Sequence, residues 1–442
     1  MRTNFIIHIL ILANFVVCAQ EGIPSYGTKN ADQAKIIIPS SFASLVLGET
    51  IKEDKKRILL YSIDANGNII WSKTLSAKDP LVINDALKTK NGYVLAGENY
   101  VNNREALLLI DTDSTGNPNW VANFNEDGNE IEPYAIESTP SAYYIGGFTK
   151  LATLSVNSFY NFSIENQYPY LLKTSKEGKK IWSKQIALNE QTIVGDIRDI
   201  AYTKDNQLVF IANIYNPKSK SKTLTNFLVK INEEGTVVWS KSIENKRMEW
   251  LKLKVDANNH IFVVGKQTIS DKNTDISVMK LDANGVIIWS KLYGTESVEK
   301  PFDFTVWNNN LVLSLTSNHF DSKKRSQSLV VKLNKDGEII ANHYIKEKDY
   351  SKIASVQVLN NQIYYTGAVI DFSNRVIMNT ITGILPLSRF SSAYLLKEKE
   401  NIVTIKDTPI QLIDVKSEVS PNHIIKDYKI TIENEEIIYK KL

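Results

Sequence analysis

Few side chains in this sequence could carry out chemistry unaided. Cys18 is the one cysteine, and beyond the N-terminal stretch the histidines are His260, His319, His343 and His423. No two of them stand at a metal-binding spacing, and no zincin, nucleophile-elbow or phosphate-loop pattern occurs. Carboxylate pairs such as Glu130 and Glu132 offer acid–base chemistry, but in a chain of this composition they read as solvated loops. Asp111, Asp113 and Gly116, like Asp282, Asn284 and Gly285, alternate oxygen ligands in the manner of a calcium loop. Calcium takes roughly six to eight oxygens, and most copies of this turn supply one or two. The expected role of the Asp or Asn is to accept a local backbone hydrogen bond while Gly adopts positive φ. No catalytic residue, metal or cofactor is expected from these motifs.

The turns that hold these residues recur. Gly67, Gly116, Gly178, Gly235 and Gly285 are each followed four residues later by Trp71, Trp120, Trp182, Trp239 and Trp289. Two further copies keep the turn and lose the tryptophan: 334–337, followed by Ala341, and 380–383, followed by Leu387. The glycines are 46 to 62 residues apart, the period of a propeller or solenoid rather than of tandem domains. One register for the tryptophans predicts a packing role, each indole wedged against the neighbouring unit with its N–H hydrogen-bonded.

Strand-like runs flank every turn, as at 57–61 before Gly67 and 69–73 after it. Each unit also holds an earlier hairpin, with turns at Asn91-Gly92, Asp205-Asn206, Asn258-Asn259, Asn308-Asn309 and Asn360-Asn361. Four antiparallel strands per unit and no helical period predict an all-β propeller. Seven units fill 34–390 after a lead-in at 20–33. Residues 391–442 are about one more period, so eight blades are favoured over seven with a C-terminal tail.

The run of strand, Asp-x-x-Gly, three residues and Trp resembles the tryptophan-docking repeat of pyrroloquinoline-quinone-type propellers. It is similar also to repeats in secreted propellers of the Bacteroidetes group, and the likeness covers about 34–390. Quinoprotein dehydrogenases of this fold use a vicinal cysteine pair over the quinone and an acidic calcium site, neither of which is recognisable here. A periplasmic propeller lipoprotein that assists outer-membrane barrel assembly is another relative in fold, and it would imply a binding scaffold. Residues 421–434 look like the opening of a C-terminal sorting domain from the same bacteria.

At the N-terminus, Arg2, an apolar run from Phe5 to Val17 and Ala19 read as a signal peptide (1–19) cleaved before Gln20. Lipidation at Cys18 is the minor alternative, and the run is shorter than the roughly 20 residues of a membrane span. Net charge is +3, from 52 basic and 49 acidic side chains, too balanced for a nucleic-acid partner. These features predict a secreted, periplasmic or cell-surface protein.

Connections between the second and third strands look long, at 98–105, 148–168, 213–226, 266–275 and 317–327, and would gather on one face. Such loops are the usual seat of binding. Candidate binding residues on that face are Phe159, Tyr160, Phe162, Tyr168, Arg198, Arg247 and Trp250. The leading expectation is a non-catalytic scaffold recognising a protein or envelope component. The alternatives are a polysaccharide hydrolase or lyase and a carbohydrate-binding lectin. Two or more carboxylates close together in a cleft would favour the enzyme.

Overall fold

The computed structural model describes residues 24–441 except 29, 102–103, 127–128, 151–166, 189–190, 216–223, 245–246, 322, 324, 346–348, 372–376, 390–395, 402, 416–429 and 435–437. The expected leader with Cys18, and Phe159, Tyr160 and Phe162, lie outside the described residues.

The strands form seven antiparallel sheets, the blades of a propeller. Blades 1 to 6 are four-stranded meanders at 31–76, 82–124, 130–188, 194–244, 248–294 and 299–345. Blade 7 takes three strands from 350–386. Its fourth is Pro24–Gly27, which pairs antiparallel with Ile377–Pro386. The segment read as a lead-in thus contains the strand that closes the ring.

Local chemistry explains the hairpins. Asn308, Asn309, Asn360 and Asn361 all have positive φ, which a two-residue type I′ turn demands of both central positions. In the other turns the aspartate is occupied by the backbone: Asp282 Oδ1 accepts from the N–H groups of Asn284 and Val286, both at 2.9 Å. The copy at 380–383 is not a turn. It lies inside strand Ile377–Pro386, and Gly383 is crowded there by the Tyr365 ring.

Seven hydrophobic clusters fill the spaces between neighbouring blades, so burial between blades holds the ring together. The repeated tryptophans extend this contact. Trp71, Trp120, Trp182, Trp239 and Trp289 each lie over the turn glycine of the next blade, where a Cβ would meet the indole at 2.6–3.2 Å. Trp289 Nε1–H also donates to the Lys335 carbonyl at 3.1 Å. At the closure Tyr26 takes this place and donates its hydroxyl to the Gly67 carbonyl at 2.6 Å. Trp239 is half-buried, so Trp239→Ala should cost about 2–3 kcal/mol, less than a fully buried tryptophan. A thermal melt unchanged within a degree would refute that role.

Among the described residues the C-terminal segment forms no eighth blade. Its strands run around the outside of the ring as a belt, each adding a strand to the outer edge of a different blade. Lys397–Glu400 pairs with blade 5, Lys406–Asp407 with blade 4 and Gln411–Asp414 with blade 3. Thr431–Asn434 pairs with blade 1, and Ile438–Lys441 with the closing strand of blade 7. The physical reason is the strand order. Blade 7 is completed by the N-terminal strand, which leaves no gap in the ring for another blade. The lysines of three Trp-Ser-Lys motifs clasp the belt, Lys291 to Glu398 at 2.6 Å, Lys241 to Asp407 at 2.6 Å and Lys184 to Asp414 at 2.7 Å.

Two connections expected to be long are short: strand Gly92–Val101 is followed by Arg104–Asp113, and Ile261–Ser270 by Asn273–Leu281. Among the described residues no helix is long and apolar enough to cross a membrane.

Candidate active site at the channel mouth

Each of the seven inner strands carries a β-bulge at one shared register, as at Ala34/Ile36, Ile83/Asp85 and Ile197/Asp199. A bulge re-aims the extra side chain, and here the bulged residues, among them Lys35, Asn84, Tyr134, Arg198 and Phe302, line the channel. The residue after the bulge is an aspartate in blades 2, 4 and 6, and each clamps the following blade. Asp85 accepts from Ile136 N–H at 3.0 Å, Asp199 from Leu253 N–H at 2.7 Å, and Asp303 from Val356 N–H at 3.0 Å. Lys252 and Lys254 stand in the field of all three, which raises both lysine pKa values. This cavity of about 400 Å³ is therefore occupied by a structural charge network.

Toward the face where the inner strands begin, the chemistry changes. Glu98, Glu105 and Glu132 each place a carboxylate oxygen within 4.8 Å of the others. Strands Gly92–Val101, Arg104–Asp113 and Glu130–Ser138 supply them. Lys150 reaches Glu105 at 2.8 Å and Glu130 at 3.0 Å, and Tyr100 donates its hydroxyl to Glu105 at 3.0 Å. Among the described residues Glu98 accepts a hydrogen bond from the neutral amide of Asn84, whose Nδ2 also donates to the Pro133 carbonyl at 2.8 Å, and the Lys35 charge reaches it from the neighbouring blade. Burial, reinforced by repulsion from Glu132 and Glu105, pushes the Glu98 carboxyl up to about 7. Burial and Glu105 likewise raise Glu132.

The propeller contains its own control. In blade 1 the residue matching Glu98 is Glu49 and the bulge residue matching Asn84 is Lys35, and these two form an ion pair at 2.5 Å. Blade 2 keeps the acid and has asparagine where blade 1 has the paired lysine, so Lys35 acts on Glu98 without an ion-pair contact. That difference singles out Glu98.

Beside the glutamates lies a second cavity of about 330 Å³ lined by Tyr134, Arg198, Lys266, Lys300 and Phe302 among others. Arg198 holds Asp196 with two hydrogen bonds at 2.6 and 2.9 Å and stacks over the Tyr134 ring at 4.7 Å from its centroid. Burial raises Asp196 to about 6 even so. Three glutamate oxygens fall short of the roughly six to eight that calcium needs, and Lys150 already meets part of their charge. The arrangement suits proton transfer better than metal binding.

Of the residues expected to bind, Arg198 is the one the structure places in this site. Trp250 is fully buried in the core between blades 4 and 5, not on the rim. Arg247 is exposed and donates to the Ile269 carbonyl at 3.0 Å, and Tyr168 is half-buried on strand Gln167–Ser175. Glu98 and Glu105 were hidden inside what looked like a loop. The signal that finds them is the blade-by-blade alignment of Glu98 with Glu49.

No protein-family model and no curated protein matches the chain. Solved structures do. One, described as an ulvan lyase of a new polysaccharide lyase family, is 8% identical with a TM-score of 0.51, covering 83% of this chain and 96% of its own. A protein of unknown function from Dyadobacter fermentans is 10% identical at a TM-score of 0.49, covering 70% of this chain and 96% of its own. The phage phi92 endosialidase is 10% identical at 0.45, with 85% and 70% covered. At such identities the likeness defines the fold, a β-propeller. The likeness shows the fold alone, and the resemblance drawn from the tryptophan repeat is supported no further than the β-propeller.

Proposed function

We propose that this chain cleaves a polysaccharide by acid–base catalysis at the channel mouth, with Glu98 as the proton carrier. The observation that supports it is the Glu98 carboxyl, raised to about 7 beside Glu132 and Glu105, with Glu132 hydrogen-bonded to Tyr134 in the wall of the neighbouring pocket. A carboxylic acid still protonated near neutral pH can donate to a leaving glycosidic oxygen, and a neighbouring carboxylate can act as base or nucleophile. Oxygens within 4.8 Å leave no room for the water that an inverting hydrolase holds between carboxyls roughly 6.5–9.5 Å apart. The geometry is nearer to the roughly 5–5.5 Å of a retaining pair. The likeness to an ulvan lyase adds an analogy of fold alone.

The second reading is the non-catalytic scaffold, exported like the enzyme would be if residues 1–19 serve as a leader. It is favoured by Lys150, which ties Glu105 and Glu130 into an ion-pair network of the kind structural sites use. Incubation of the purified chain with neutral and acidic polysaccharides separates the two. New reducing ends, or the ultraviolet absorbance of unsaturated uronate ends, are expected from wild type and not from Glu98→Gln. Glycan or envelope-protein binding with no product from any polymer would leave the scaffold standing.

A further inference from the structure

The pocket beside the glutamates has an unbalanced lining. Arg198, Lys252, Lys266 and Lys300 face it together with Tyr134 and Phe302, and no carboxylate is among its walls. Two of these cations are already used. Arg198 is bound to Asp196 and lies 3.7 Å from Glu249, and Lys266 pairs with Glu249 at 2.8 Å. Among the described residues, Lys252 and Lys300 have neither an ion pair nor a hydrogen bond, though the charges of Asp199, Asp85 and Asp303 reach Lys252 through the channel. Lys300 is exposed at the mouth, while Lys252 forms part of both cavities. Lys300, an ammonium without an ion pair beside the Tyr134 and Phe302 rings, makes a receptor for a sugar ring that carries an anionic group.

We infer that this pocket takes the carboxylate or sulfate of an acidic saccharide unit, with Lys300 as its charge partner and Phe302 and Tyr134 against the sugar face. This rests on the proposed action on polysaccharides and adds the substrate class: anionic polymers, bound beside the proton carrier. Attraction of this kind acts over about 8–10 Å at physiological ionic strength, so it also draws a polyanion toward the mouth.

The test uses the full chain carrying Glu98→Gln, so that binding is measured without turnover, and titrates it calorimetrically with polygalacturonate, dextran sulfate and dextran. Binding of polygalacturonate or dextran sulfate, but not of dextran, is expected. The polymer preferred tells carboxylate from sulfate. Adding Lys300→Glu should weaken the acidic polymer about tenfold or more. Lys335→Glu, at a residue 69% exposed on the turn that follows strand Gln327–Leu333, should leave affinity unchanged. Three results would overturn the assignment: dextran binding as tightly as the polyanions, no binding of any polymer, or equal losses from Lys300→Glu and Lys335→Glu. If binding is as expected while wild type yields no product, the subsite stands and the proposed catalysis falls.

Discussion

Glu98→Gln should lower turnover of the cleaved polymer by about 10²–10⁴-fold, the usual contribution of a positioned acid or base, and at the same time make the protein more stable above neutral pH. Both effects come from one cause. An unfolded glutamate ionises near 4.5, but in the folded protein burial and two neighbouring glutamates hold this one to about 7. Between those values the unfolded chain releases the proton first, so wild-type stability falls as pH rises and levels off above the folded pKa. Below pH 4 the wild type and the variant should melt together. At pH 8 the variant should be more stable by on the order of 1–3 kcal/mol. Activity should follow the protonated acid and decline as pH rises through 7. A difference in melting temperature that does not change with pH would refute the burial of an uncompensated carboxyl at this position.

Deletion of residues 397–442 should lower the melting temperature by roughly 5–10 °C and promote association. The belt contributes more than edge pairing. Ile410 and Leu412 pack into the core between blades 3 and 4, and Val403 and Ile405 into that between blades 4 and 5. Ile430 reaches the core between blades 1 and 2. Ile410 is 6% exposed, and a side chain buried to that extent is worth about 1.5–3 kcal/mol. The clasping ion pairs involve exposed acids and add little. Deletion would also bare the outer edges of blades 1, 3, 4, 5 and 7, each a template for another strand. Calorimetry and light scattering on the truncated chain check both effects. A melt within two degrees of the full chain, with no rise in scattering, would show the belt to be dispensable.

The repeat was legible in the sequence because one residue type does one job in every copy: glycine for a positive φ, tryptophan four residues on for a neighbour's turn. Asn308, Asn309, Asn360 and Asn361 marked their hairpins for the same reason. The blade count was not legible. Thr380–Gly383 mimics the turn motif inside a strand, and the true fourth strand of blade 7 is four residues long and lies at the other end of the chain. The belt strands have ordinary strand composition, and nothing local says which edge they will join. The site escaped notice because its chemistry depends on what is missing. Glu98 is an ordinary acid in the sequence, and its match with the Lys35–Glu49 pair of blade 1 shows that asparagine stands where its ion-pair partner would be.

The belt also changes how the molecule should come apart. An array of repeats normally behaves as a one-dimensional system, each unit stabilised by its two neighbours and able to melt from an end. Here Pro24–Gly27 and Ile438–Lys441 lie side by side on blade 7, so the first and last described strands are fastened to one sheet. The belt strands tie blades 5, 4 and 3 together in turn, and blade 1 to blade 7, in one continuous run of chain. Loss of one blade therefore strains several others at once, and the ring should unfold as a single cooperative unit rather than peel blade by blade.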